Sequence, residues 1–550
     1  MNKGIINSIF IITIISFILI MACSKRQKVD LIVTNATIYT VDSTFNTKQS
    51  MAIGNGKIIA VGTNQEIESK YEASNIIDAS RKYIFPGFID PHCHFLGYGT
   101  SLSNASLSGA KTWNEVIERL VAHQKEFPSE WVQGRGWNQN EWDIKEFPTN
   151  DLLDKAFPNK PVFIIRIDGH AAIANSYALK MAGVTEASKK EGGELIKKNG
   201  KLTGVLVDNA IELVRAIIPE IDRSTEERAL LKAQESCFAV GLTSVSDAGI
   251  DLKDVLLIDS LQKTGKLKMR IYAMLNPTAE NFDHFLSKGI YSTDNLTVRS
   301  IKLFADGALG SRGALLLQPY SDAPNTKGLQ VESTENLLAN CERAFKAGYQ
   351  VNTHCIGDAA VRLMLDNYSK YLKPKNDLRW RIEHAQVVDP QDLKRFKDYC
   401  VIPSVQTTHA TSDMNWADER LGARIKYAYA YQDLLKQNGW LANGSDFPVE
   451  NINPLYGFYA GVSRKDLNGL PENGFQKENA LDRMQALRSM TIWAAKANFE
   501  DSFKGSLEPG KWADFVILEK DLLVEPESDL PKSKVISTFV AGELVYQKKQ

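Results

Sequence analysis

With 550 residues, the chain is far longer than one ordinary domain of roughly 100–200 residues requires. Its 65 basic and 66 acidic residues leave a net charge of −1, which gives no electrostatic footprint for nucleic acid. Hydrophobic residues at 43% and charged residues at 24% exclude a disordered chain and allow a large core.

The first element is a leader. Lys3 gives a positive start, and residues 5–22 are apolar apart from Asn7, Ser8, Thr13 and Ser16. Cys23 follows Ala22 directly, with Ser24, Lys25 and Arg26 behind it. A charged start, an apolar centre and a small residue before the break mark residues 1–22 as a secretory signal. Cys23 then looks like the lipidated cysteine of a bacterial lipoprotein, although Met21 is bulkier than that pattern prefers. The alternative is an uncleaved anchor helix, whose eighteen residues only just approach the ~20 needed to span a bilayer. The expected location is the bacterial cell envelope, with a lipid on Cys23 holding the protein to the periplasmic side of the outer membrane. Cys93, Cys237, Cys341, Cys355 and Cys400 form no CxxC and are expected to be mostly buried, free thiols.

Strands come next. Residues 30–41 are β-branched and partly alternating, and residues 51–61 hold Asn55-Gly56 between two apolar runs, a strong hairpin signal. The same style returns at residues 513–518 and 534–546. Two strand-rich ends predict one small β-sandwich, with an N-terminal part at 29–84 and a C-terminal part at 505–550. Two separate β appendages are the alternative.

Between them, residues 85–500 alternate β and α. Eight apolar runs stand out, at 85–94, 242–248, 269–275, 300–306, 349–354, 380–386, 401–407 and 440–446. Eight βα units is the count of a closed (β/α)8 barrel. About 145 residues separate the first two runs where roughly 30 would serve one βα unit, so a subdomain is inserted at about 95–240. The predicted fold class is therefore α/β: a barrel with a large insertion after strand 1, plus a β-sandwich from both termini.

The chemistry gathers at the ends of these runs. In Asp90-Pro91-His92-Cys93-His94, residues i and i+2 of a strand share a face, so two imidazoles stand side by side. That is half of a zinc-type site, although weak alone. The fifth run ends in His354, the sixth contains Glu383-His384 and the eighth ends Gly444-Ser445-Asp446. Catalytic groups in barrels project from strand C-termini, and four of the chain's eight histidines fall on three such ends. One core histidine would be unremarkable; the set is not.

Four segments then carry a resemblance. Pro86-Gly87-Phe88-Ile89-Asp90-Pro91-His92-Cys93-His94, Arg166-Ile167-Asp168-Gly169-His170-Ala171-Ala172, the run from Lys302 to Arg312, and Gly444-Ser445-Asp446-Phe447-Pro448 resemble the amidohydrolase superfamily, specifically amidohydrolase family 3. The resemblance runs from roughly residue 29 to the C-terminus. It implies a metal-dependent hydrolase that cleaves C–N bonds other than peptide bonds. Carried over, His92 and His94 would hold one divalent metal, expected to be zinc, and His354 and His384 a second. Lys302 would be carboxylated and bridge the two, since a protonated lysine has no lone pair for a cation; the alternative is a plain lysine that pairs with Asp306 or binds substrate. Asp446 would touch metal, accept a proton from its water, and deliver it to the leaving amine.

His170, Arg166 and Arg312 are candidates for substrate contact, with a structural role as the alternative. Trp131, Trp137 and Trp142 are expected to pack rather than recognise. His123, His284 and His409 carry no assignment, although His409 follows the seventh run. The leading reading is a binuclear amidohydrolase acting on an amide, formamide or carbamate in a small-molecule substrate. The alternatives are a one-metal deaminase-like site, in which His384 orients water, and an inactive substrate-binding lipoprotein. Neither the substrate nor the oligomeric state is legible in the sequence.

Overall fold

The computed structural model describes residues 26–549. The leader and Cys23 lie outside them, and no helix among the described residues is long and apolar enough to cross a membrane.

Two packed sheets draw on both ends of the chain. The first is built from Gln27–Thr34, Ser50–Gly54, Lys57–Gly62 and Tyr71–Asp78. The second interleaves Thr37–Tyr39, Thr47–Lys48 and Tyr83–Pro86 with Phe515–Leu518, Val535–Val540 and Glu543–Gln547. Alternation explains the packing: Leu31, Val33, Met51 and Ile53 from one sheet meet Ile38, Ile84, Phe515 and Ile517 from the other in one core. Asn55 and Gly56 both take positive φ, as a two-residue type I′ turn requires. The strand expected over 30–41 is instead two strands in different sheets, broken where Asn35 adopts a φ of 55°.

Eight parallel strands form the barrel: β1 (Phe88–Cys93), β2 (Leu242–Ile250), β3 (Arg270–Leu275), β4 (Leu296–Phe304), β5 (Gln350–Cys355), β6 (Arg381–His384), β7 (Ile402–Val405) and β8 (Ala442–Asn443). The expected first run, 85–94, is cut at Gly87. Residues before it belong to the sandwich and those after it to the barrel. A Cβ at Gly87 would sit 2.3 Å from Thr243 Oγ1, so only glycine allows the chain to pass from one sheet to the other here. The seam between β8 and β1 is closed by backbone bonds: Asp446 N–H donates to His92 O and His94 N–H to Phe447 O, both at 2.8 Å. Closure therefore brings the two richest motifs into direct contact.

The insertion between β1 and β2 carries its own six-stranded sheet, from Ala105–Ser106 to Lys201–Asp208, with a core on each face. Trp131, Trp137 and Trp142 are buried in those cores, and the indoles of Trp137 and Trp142 donate to the carbonyls of Ile164 and Ala110. They pack. All five described cysteines are free, and only Cys400 is not buried.

Sandwich and barrel are joined by a buried fork. Arg270, at the start of β3, donates through Nε to Asp514 Oδ2 at 2.6 Å and through Nη2 to Oδ1 at 3.0 Å. Removing one partner strands the other charge in a dry site. Asp514→Ala is therefore expected to lower the unfolding free energy by about 3–5 kcal/mol, read from urea denaturation.

Candidate metal centre

The C-terminal ends of β1, β6 and β8 converge. His92, His384 and Asp446 each direct one ligand-type atom into a set that lies within 4.8 Å of one another. His94 joins from the end of β1, with Nε2 at 3.2 Å from Asp446 Oδ1, while His92 Nε2 is 3.5 Å from the same oxygen. His354, at the end of β5, packs its ring 4.6 Å from that of His384. Lys302 reaches in from β4, its Nζ 3.2 Å from His92 Nε2. All six residues expected at the metal are thus gathered in one place.

Their local backbone explains how. β1 supplies His92 and His94 by simple alternation. β6 does not: Glu383 and His384 are sequence neighbours, yet both address the centre, because His384 and Ala385 leave the strand at φ 71° and 42°. Asp446 also sits at a positive φ, 58°. Such conformations cost about 1–3 kcal/mol each in a non-glycine residue and persist where the surroundings dictate them. For Asp446 the surroundings are clear. Ser445 Oγ donates to Asp90 Oδ2 at 2.6 Å, and a Cβ at Gly444 would lie 2.6 Å from Asp90 Oδ1.

The second layer fixes which nitrogen each histidine offers. His92 Nδ1 lies 2.6 Å from Glu383 Oε2, and His384 Nδ1 lies 2.7 Å from Gln406 Oε1, so Nε2 of both rings is left for a ligand. His354 is turned the other way, with Nε2 3.3 Å from Gly307 O, which leaves Nδ1. Burial holds His354 and His384 well below the usual imidazole range, keeping them neutral as metal ligands must be. Asp446 Oδ1 is buried and has no hydrogen-bond partner. An orphaned carboxylate oxygen facing neutral imidazoles is a donor set without its cation, and the residues fit a divalent metal.

Glu383 received no role from the sequence, although it stands beside His384. It orients His92 and acts through it. Glu383→Gln is expected to weaken metal affinity by roughly 10–100-fold, measured by competition with a chelator, while leaving the fold intact.

Lys302 is buried, at 1% exposure, and burial pushes its ammonium below the ordinary lysine range. No carboxylate among the described residues lies within ion-pair distance of it. Asp306 is not its partner: that carboxylate accepts from the N–H groups of Leu315, Ile356 and Gly357.

A cavity of about 180 Å³ opens above the centre. One wall comes from the barrel loops, the other from the insertion. His170 lines it, with Nδ1 2.8 Å from Asp208 Oδ1 and its ring 4.7 Å from that of His354. Arg166 lines it too, clamped by Asp168, Gln139 and Asn138. His409 lines it from the barrel side, its buried Nε2 without a hydrogen-bond partner. Arg312 is not brought here; its guanidinium pairs with Asp322 at 2.8 Å, away from the lining. His123 and His284 pack beside Phe127 and Phe285, outside the cavity.

The model of the amidohydrolase family matches residues 75–546. Protein LONG AFTER FAR-RED 3 from Arabidopsis thaliana is 35% identical over 94% of this chain and 91% of its own length. N-substituted formamide deformylase from Arthrobacter pascens is 27% identical over 95% of this chain and 99% of its own. An uncharacterized metal-dependent hydrolase from Pyrococcus horikoshii superposes with a TM-score of 0.74 at 33% identity, covering 90% of this chain and 99% of that structure.

Proposed function

The chain belongs to the amidohydrolase family, and from that premise we propose that it hydrolyses a C–N bond other than a peptide bond, of amide, formamide or carbamate type, in a small-molecule substrate. The observation that carries this reading is Asp446: a strained, buried carboxylate whose free Oδ1 faces His92 and His94 at the floor of a substrate-sized cavity.

His92, His94, His354, His384 and Asp446 would hold zinc. Bound there, the metal supplies Lewis acidity and lowers the pKa of its water towards about 7. The Asp446 carboxylate takes the proton released when water adds to the carbonyl carbon. It then delivers that proton to the leaving nitrogen, so that an amine and an acid depart. His170, held through Nδ1 by Asp208, has Nε2 available to donate to the substrate carbonyl. Asp208 acts only through His170. Asp208→Asn is expected to lower kcat by about tenfold or more, with metal content unchanged in elemental analysis.

The test is a screen of metal-loaded protein against N-formyl, N-acyl and lactone compounds. Amine release from a formyl or acyl compound is the expected result; turnover of lactones alone would overturn the C–N assignment. The formamide deformylase relative makes N-formyl compounds the first choice.

We further propose that the mature chain starts at a lipidated Cys23 in the cell envelope, on the strength of the leader sequence. Cys23→Ser should release the protein from the membrane fraction.

A further inference from the structure

A second cavity of about 560 Å³ lies where the insertion meets the barrel. Its floor is the close crossing of helices Phe95–Ser101 and Arg223–Ala239, where a Cβ at Gly99 would fall 2.3 Å from Ala229 O. Its roof comes from the insertion strands Val132–Trp137 and Val162–Arg166.

The lining carries four cations, Arg135, Arg215, Arg228 and Lys232, and no carboxylate. A chain with a net charge of −1 has no general excess of positive charge to account for that. Arg215 is already engaged, with Nη1 2.7 Å from Glu212. Arg228 is held only by neutral hydroxyls, Ser224 Oγ at 3.2 Å and Thr225 Oγ1 at 2.7 Å, which fix the fork without neutralising it. Asp222 caps the same helix and is occupied by the N–H and hydroxyl groups of Ser224 and Thr225. Lys232 has no ion-pair partner among the described residues. Arg135 is the most unusual. Its Nε is buried with no hydrogen-bond partner, and its one bond is from Nη2 to Ile167 O at 3.2 Å. Ile167 lines the catalytic cavity, so Arg135 stands in the wall that the two cavities share.

Three unneutralised cations across one cleft are complementary to an anion, and a guanidinium suits the planar or tetrahedral oxygens of carboxylate or phosphate. The half-buried Ile165 and the exposed Ile221 add an apolar surface beside them. We propose that this cleft is a second binding site, for a small organic anion whose phosphate or carboxylate group is taken by Arg135, Arg228 and Lys232 and whose apolar part rests on Ile165 and Ile221.

The test titrates the metal-loaded protein with phenyl phosphate and with benzoate, which share a ring and differ in headgroup, by calorimetry. Saturable binding of either is expected, and the tighter of the two identifies the headgroup class. The double variant R228Q/K232Q changes two exposed side chains on one helix face, and its melting temperature without ligand should match that of the unaltered protein. Its affinity should fall by roughly tenfold or more, and raising the salt should weaken binding to the unaltered protein far more than to the variant. No saturable binding of either probe would overturn the proposal. So would equal affinity in R228Q/K232Q, including binding lost only on chelation, which would put the anion at the metal centre instead.

Discussion

Asp446→Asn should reduce kcat by a factor of about 10²–10⁴ while the melting temperature stays close to that of the unaltered protein. The substitution keeps the shape of the side chain and therefore the seam contacts made by its backbone, since Asp446 N–H bonds to His92 O whatever the side chain is. What it removes is the second carboxylate oxygen and the ability to take up and return a proton. An amide also presents donors to His92 and His94 where the site now offers Oδ1 at 3.5 and 3.2 Å. Steady-state kinetics with elemental analysis separate the two consequences: lost metal marks a ligand role, and lost turnover at full metal content marks the proton transfer. Unchanged turnover together with unchanged substrate affinity would remove Asp446 from the chemistry.

Asp446 was legible in the sequence because it closes the last of eight strand-like runs, and a barrel puts such ends on one face. His92 and His94 were legible through strand alternation, and the hairpin through Asn55-Gly56. The barrel count survived even though individual bounds moved, as at Gly87, where packing against Thr243 rather than local propensity decides where one strand stops. The second layer was not legible. Glu383 serves His92 from 291 positions away, and its neighbour His384 reaches the same centre only because a positive φ breaks the alternation that a sequence reader must assume. Gln406 and Asp208 are ordinary polar residues until the fold sets them beside His384 and His170. Arg312 shows the converse: it sits in a motif-like run, but the turn that carries it directs its side chain to Asp322.

Lys302→Ala should cost both metal and turnover. Lys302 is a buried amine beside His92, without a carboxylate within reach, at the end of a barrel strand. A fixed ammonium in that position would repel the cation that His92 and Asp446 are arranged to hold. A carbamate formed there from CO2, with loss of one proton, would instead put a single negative charge, shared over two oxygens, where the ammonium would stand. On that basis Lys302→Ala is expected to lower metal content from near two ions per chain and to cut turnover by a factor on the order of 10³ or more, the equivalent of several kcal/mol of lost charge stabilisation. Bicarbonate with excess metal should not restore the variant, because no amine remains to carboxylate. A short-chain carboxylate should restore part of the activity by entering the space the side chain vacated. If Lys302 is only a structural cation, the variant should keep its metal and lose stability instead. Full metal occupancy with near-normal turnover would exclude the bridged pair. The donor set would then serve a single ion, with His92, His94, His354 and Asp446 as ligands and His384, fixed by Gln406, left to orient water.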